Sequence, residues 1–184
     1  MSFQHDIVLL GETHGDPKNP ERIREVLNRF DTKVTFVLEL HERVEPYLLK
    51  YFEDGSKEIF ECGEVKRNPG KITQDILKLF KEIKDKHNIK FLKHFPIEKE
   101  KYKGDAFDKE IAKQLKKMDK PVVALLGSTH ATKEKINLKN WNLPKEIKQS
   151  YKNKTMKPVG YHLKNKAHSI KLGKPMKGYD EHIS

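Results

Sequence analysis

Two kinds of hydrophobic pattern alternate along the chain. Short, nearly continuous apolar runs occur at Asp6–Leu10, Val34–Leu40, Ile89–Phe95 and Pro121–Leu126. Runs of this length, bounded by turn residues, read as strands buried on both faces. Between them the apolar residues recur every three or four positions, the spacing of one helical face. Asn19–Phe30 carries Ile23, Val26, Leu27 and Phe30 on one stripe, with Pro20 in its first turn. Glu42–Phe52 turns Val44, Leu48, Leu49 and Phe52 inward. Thr73–His87 repeats Ile76, Leu77, Phe80 and Ile83, and Asp105–Met118 repeats Phe107, Ile111, Leu115 and Met118. Gly55–Gly70 shows neither period.

Strands alternating with helices predict βαβ units, hence an α/β fold of three layers: a mainly parallel sheet flanked by helices. The tail reads differently. Lys157–Leu163 and Ala167–Leu172, joined by the polar turn Lys164–Lys166, predict a C-terminal antiparallel hairpin at one edge, its lysines guarding that edge. The 184 residues suit a single domain, with a core at about 6–132 and a basic extension at 133–184.

Composition narrows the function classes. Hydrophobic and charged residues each make up 35%, and the apolar runs are too short to span a bilayer. The opening residues lack the basic and long apolar stretches of a secretory signal, and the single Cys62 allows neither an internal disulfide nor a multi-Cys zinc site. The expected compartment is therefore cytoplasmic, with no membrane partner. Residues 1–92 carry 16 basic against 17 acidic side chains, and residues 93–184 carry 22 against 10. A basic half invites nucleic acid, but 33 of the 38 basic residues are Lys and no aromatic-interleaved basic cluster stands out. Lys lacks the planar fork that reads bases and phosphates, so the sequence argues against a nucleic-acid partner.

The chemistry collects where strands end. The first runs into Gly11-Glu12-Thr13-His14-Gly15, the second into Glu39-Leu40-His41, the third into Lys93-His94, and the fourth into Gly127-Ser128-Thr129-His130. Ligands of open parallel sheets bind at that edge. Glu12, His14, Glu39 and His130 are thus the candidate catalytic residues, with His41 and His94 at the substrate-binding rim. Glu39 follows an apolar strand, where burial raises a carboxyl pKa unless a cation or donor compensates. His5, His87, His162, His168 and His182 have no such context and read as solvent histidines. Cys62 reads as an inert thiol.

Gly11-Glu12-Thr13-His14-Gly15, Glu39 closing the second strand and Gly127-Ser128-Thr129-His130 after a later strand together resemble the erythromycin esterase/ChaN-like superfamily, related to the Tiki/TraB putative metalloproteases. The match in order and strand context runs from about Asp6 to Thr132. The resemblance implies that His14 is a base activating water. It also implies that Asp105, a substrate-binding candidate beside His41 and His94, corresponds to the acid of an Arg-Asp pair opening the helix before the last strand; the Arg is absent, and Lys103 stands nearby.

These residues make a small hydrolase the leading expectation, acting on an ester, lactone or peptide bond of a small-molecule or peptide substrate. His14 serves as base, Glu12 or Glu39 orients it, and His130 supports the oxyanion or leaving group. Two variants keep the same residues. In one, a divalent metal (Zn, Mn or Co) held among Glu12, His14, Glu39 and His130 activates the water. In the other, the cleft binds haem, a metal or a small ligand without turnover.

Overall fold

The computed structural model describes residues 5–68, 70–93, 105–137 and 155–184, with only the backbone of Asp105. Its centre is a six-stranded sheet in the order β3-β2-β4-β1-β7-β8. The strands are β1 (Ile7–Glu12), β2 (Thr35–His41), β3 (Asn88–Leu92), β4 (Val122–Gly127), β7 (His168–Leu172) and β8 (Glu181–Ile183). Each neighbouring pair runs parallel. β5 (Ile136–Asn137) and β6 (Thr155–Met156) form a small separate antiparallel pair.

Alternation along each strand sends side chains to two helical layers. Val8, Leu10, Phe36 and Leu38 pack with α1 (Asn19–Leu27) and α4 (Gln74–Ile83), through Ile23, Val26, Leu77 and Phe80. Ile7, Leu9, Val37 and Ala124 pack on the opposite face with α5 (Asp105–Lys117) and the short α7 (Val159–Leu163), through Ile111, Leu115, Val159 and Leu163. All six residues of β1 and of β4 are buried, as central strands covered on both faces require. Burying a Leu- or Phe-sized side chain contributes roughly 1.5–3 kcal/mol, so these two layers dominate stability.

Local signals set the helix ends. Thr73 Oγ1 accepts from Ile76 N–H at 3.2 Å and starts α4, whose stripe of Ile76, Leu77, Phe80 and Ile83 is buried as the spacing predicts. α2 (Glu45–Asp54) ends at Gly55 with φ +76°, and the helical turn Glu42–Val44 precedes it. The irregular stretch holds the turn Lys57–Glu61 and α3 (Gly63–Arg67).

Two expectations are corrected. The tail forms no edge hairpin: Lys157–Leu163 gives α7 instead of a strand, while β7 lies inside the sheet, parallel to β1 and flanked by β8. Pro158 opens that helix, and Val159 and Leu163 bury one face at helical spacing, which outweighs the β-branched opening. Residues 167–183 are therefore part of the main sheet, not an appendage. His87 is buried, not solvated, and its Nδ1 accepts from Val34 N–H at 3.3 Å. Cys62 is buried.

Candidate functional site at the carboxyl edge of the sheet

β1 continues through Gly11 to Glu12, whose side chain is 4% exposed. A carboxylate so buried needs donors on both oxygens. Oε1 lies 2.9 Å from His14 Nδ1, and Oε2 accepts from Asn19 Nδ2 at 2.7 Å. Asn19, the first residue of α1, also bonds Thr13 O at 2.9 Å and so fixes the loop between strand and helix. In the tautomer that donates from Nδ1 to Glu12, the His14 ring presents its Nε2 lone pair as an acceptor. The His14 side chain is 35% exposed.

Glu39 ends the apolar run of β2. Its Oε2 accepts from Gly127 N–H at 2.7 Å, and its Oε1 accepts from Lys71 Nζ at 3.1 Å. Lys71 Nζ also reaches Glu39 O at 3.0 Å. Burial works to raise this carboxyl, but His130, Lys71 and the Gly127 N–H outweigh it and leave its pKa below the ordinary value.

β4 passes through Gly127 into the single turn α6 (Ser128–Ala131), which carries His130. The His130 Nδ1 lies 2.7 Å from Asp108 Oδ1, and its Nε2 lies 3.8 Å from Glu39 Oε1. Burial alone would lower this imidazole; the hydrogen bond to Asp108 and the charge of Glu39 raise it instead. Asp108 is 1% exposed and also accepts from Val159 N–H at 3.2 Å. Burial pushes its own carboxyl up. The result is a row of alternating sign, Asp108, His130, Glu39, Lys71, running from α5 across the ends of β4 and β2.

The two histidines meet over Gly127. A Cβ placed on that residue would stand 3.4 Å from His14 Nε2 and 3.6 Å from His130 Cδ2. Ser128 Oγ donates to Glu12 O at 2.7 Å and ties the two strand ends together, while the Tyr179 hydroxyl donates to Ser128 O.

The remaining candidates fare differently. His41 lines a cavity of about 170 Å³ beside Glu39, with Asn68, Lys71, Leu92 and Phe107 among its neighbours. Its Nδ1 accepts from Arg43 N–H at 3.0 Å. His94 lies outside the described residues, as does the side chain of Asp105. One turn further along α5, Asp108 is the acid that reaches the site; it, Asn19 and Lys71 were missed by sequence reasoning. Asp108 and Asn19 left a signal, since each is a polar residue standing on the apolar stripe of its helix. The residues do not fit the divalent-metal variant. Among the described residues no three His, Cys, Asp or Glu side chains are grouped as a metal ion requires. Both oxygens of Glu12 and of Glu39 already have donors.

No protein-family model matches the chain, and no curated protein matches it. Among solved structures it is similar to "Cofacial heme binding to ChaN of Campylobacter jejuni", at 16% identity, over 94% of this chain and 83% of that one, with a TM-score of 0.48. The likeness adds nothing for the esterase or Tiki/TraB members of the expected superfamily, and the haem is that protein's ligand. Among the described residues no helix is long and apolar enough to cross a membrane.

Proposed function

We propose that the chain is a small hydrolase acting on an ester, lactone or peptide bond of a small polar substrate. The observation that supports this reading is the meeting over Gly127 of two imidazoles, each anchored through Nδ1 to a buried carboxylate. In the proposed reaction His14 Nε2 takes a proton from water, and the water oxygen attacks the carbonyl carbon. Glu12 stabilises the imidazolium that forms. His130, whose imidazolium form Asp108 and Glu39 favour, donates from Nε2 to the developing oxyanion and then gives its proton to the leaving group. His41 is proposed to contact the substrate in the neighbouring cavity. That cavity is smaller than the roughly 300–1,000 Å³ typical of drug-sized ligands, which favours a substrate group of a few heavy atoms.

The test is turnover of a panel of esters, lactones and short peptides by the wild type, His14→Ala and His130→Ala. Each substitution is expected to lower the rate by about 10²–10⁴-fold. Undiminished turnover in both variants would overturn the assignment.

A second reading is binding of haem or another small ligand without turnover. It is favoured by the Gly127 N–H, a natural oxyanion donor at the end of β4, being taken by Glu39. On this reading a ligand at 100 times its Kd stabilises the fold by about 2.7 kcal/mol and no product forms.

A further inference from the structure

Lysines that look dispersed in the sequence are gathered by the fold around α5. Between α5 and the edge strand β3, a groove of about 620 Å³ is lined by Lys90, Lys93, Lys113 and Lys117. A second groove, about 520 Å³, runs along α5 past Lys109, Lys113 and Lys116. A third, again about 620 Å³, continues from Lys116 to Lys120 and Lys166. Lys113 lines the first two and Lys116 the last two, so the three form one continuous face. Among the described residues the acids on it are Glu110, Asp119 and Asp6. Glu110 pairs with Lys113 at 3.4 Å; among the described residues Lys90, Lys93, Lys109, Lys116 and Lys117 enter no ion pair.

An ordinary solvated helix face mixes signs. Here Lys109/Lys113 and Lys113/Lys117 are like-charged neighbours at i, i+4, which destabilise the helix that carries them. The helix dipole accounts for Lys116 and Lys117 in the last turn, but not for Lys109, Lys113, Lys90 or Lys93. We propose that this face binds the phosphodiester backbone of a nucleic acid without reading its sequence. Ammonium groups suit phosphates as point charges, and no Arg lines the grooves to fork onto bases. The lack of a basic cluster along the sequence argued against nucleic acid, and the fold supplies such a cluster from residues that the sequence leaves apart.

The test is fluorescence anisotropy of the full chain with labelled single-stranded oligo(dT) from 50 to 200 mM KCl. Five phosphates neutralised give a log–log salt slope of roughly −3.5, a loss of about 100-fold across that range. The triple variant K109Q/K116Q/K117Q is expected to lower the slope to roughly −1.4, a loss of about 7-fold. A control, K78Q/K81Q/K86Q, removes the same charge elsewhere and is expected to keep the wild-type slope. His14→Ala is expected to bind like the wild type, which separates this face from the hydrolase reading. Three outcomes would overturn the proposal: a salt-independent wild type, equal effects of the two triples, or displacement of the oligonucleotide by poly-glutamate at equal charge concentration. The last would mean a face selecting acidic chains at large.

Discussion

Asp108 Oδ1 and His130 Nδ1 lie 2.7 Å apart where the acid is 1% exposed, so a helix from one side of the sheet holds the ring that a strand end presents. Breaking a buried pair by deleting one partner costs roughly 3–5 kcal/mol, because the other charge is left buried. Asp108→Ala is therefore expected to melt well below the wild type. Asp108→Asn keeps an acceptor but removes the charge, and is expected to lower the His130 pKa while costing less stability. NMR titration of the imidazole resonances checks this. An unmoved His130 in Asp108→Asn would mean that Glu39 alone raises it.

How much of this was legible beforehand follows from what each residue contributes to. The strands and the main amphipathic helices were readable because burial on one or both faces imposes a period, as Ile7–Leu10 and the Ile76–Ile83 stripe show. The convergence of Glu12, His14, Glu39 and His130 at one edge of the sheet was readable because each lies at or just past the end of an apolar run, where a polar residue is conspicuous. Asp108 is inconspicuous because the family resemblance points to the start of its helix, at Asp105, although Asp108, Ile111, Ala112 and Leu115 share a buried face. Lys71 carried no signal: its partner is Glu39, far away in sequence and fixed only by tertiary packing. The tail misled because Val159–Leu163 is too short for its period to decide between helix and strand.

The charge row predicts a pH window. His130 is raised above its ordinary 6.5, so its contribution to stability is full below pH 6.5 and is lost as pH climbs through the folded value. Glu39 is lowered below its ordinary 4.5, so its contribution is full above pH 4.5 and is lost as pH falls through the folded value. Asp108 is raised by burial from 3.8, so its ionisation withdraws stability as pH rises past that value, which blurs the acid edge. The alkaline edge, set by His130, is the clean one. Urea midpoints of the wild type and His130→Gln are expected to differ most near pH 6 and to converge above the folded His130 pKa. A difference constant to pH 9 would contradict the raised imidazole.

The loop bearing Lys71 leans on the loop bearing His14. Gly15 N–H donates to Gly70 O at 3.0 Å, and a Cβ on Gly70 would lie 3.0 Å from Gly15 N and 3.2 Å from His14 C. Gly70 also has φ +85°. Gly70→Ala is therefore expected to combine left-handed strain, of order 1–3 kcal/mol, with displacement of both loops. Gly55 isolates the first effect, since its φ is +76° and nothing lies within 4 Å of a Cβ there. Gly55→Ala is expected to lower Tm by a few degrees and leave the site intact. Gly70→Ala is expected to melt lower still and to lose turnover or ligand binding. Equal melting temperatures would show that the approach of the two loops is not under compression.

Gly127 offers the sharpest separation of site from fold. Its φ of −58° is one that any residue adopts, so alanine imposes no backbone strain. The added methyl would instead enter the space between the imidazoles, 3.4 Å from His14 Nε2, where the attacking water is proposed to sit. A contact this tight asks the His14 ring to yield by at most a few tenths of an ångström, which a partly exposed ring can do by tilting about its Nδ1 anchor on Glu12. Gly127→Ala is thus expected to fold with a Tm within a few degrees of the wild type while losing most of its turnover, with the loss falling on kcat more than on KM because the cavity beside Glu39 is untouched. Thermal melts and steady-state kinetics on any substrate found by the panel measure both. Full activity in a stably folded Gly127→Ala would mean that the reacting atoms do not pass between His14 and His130.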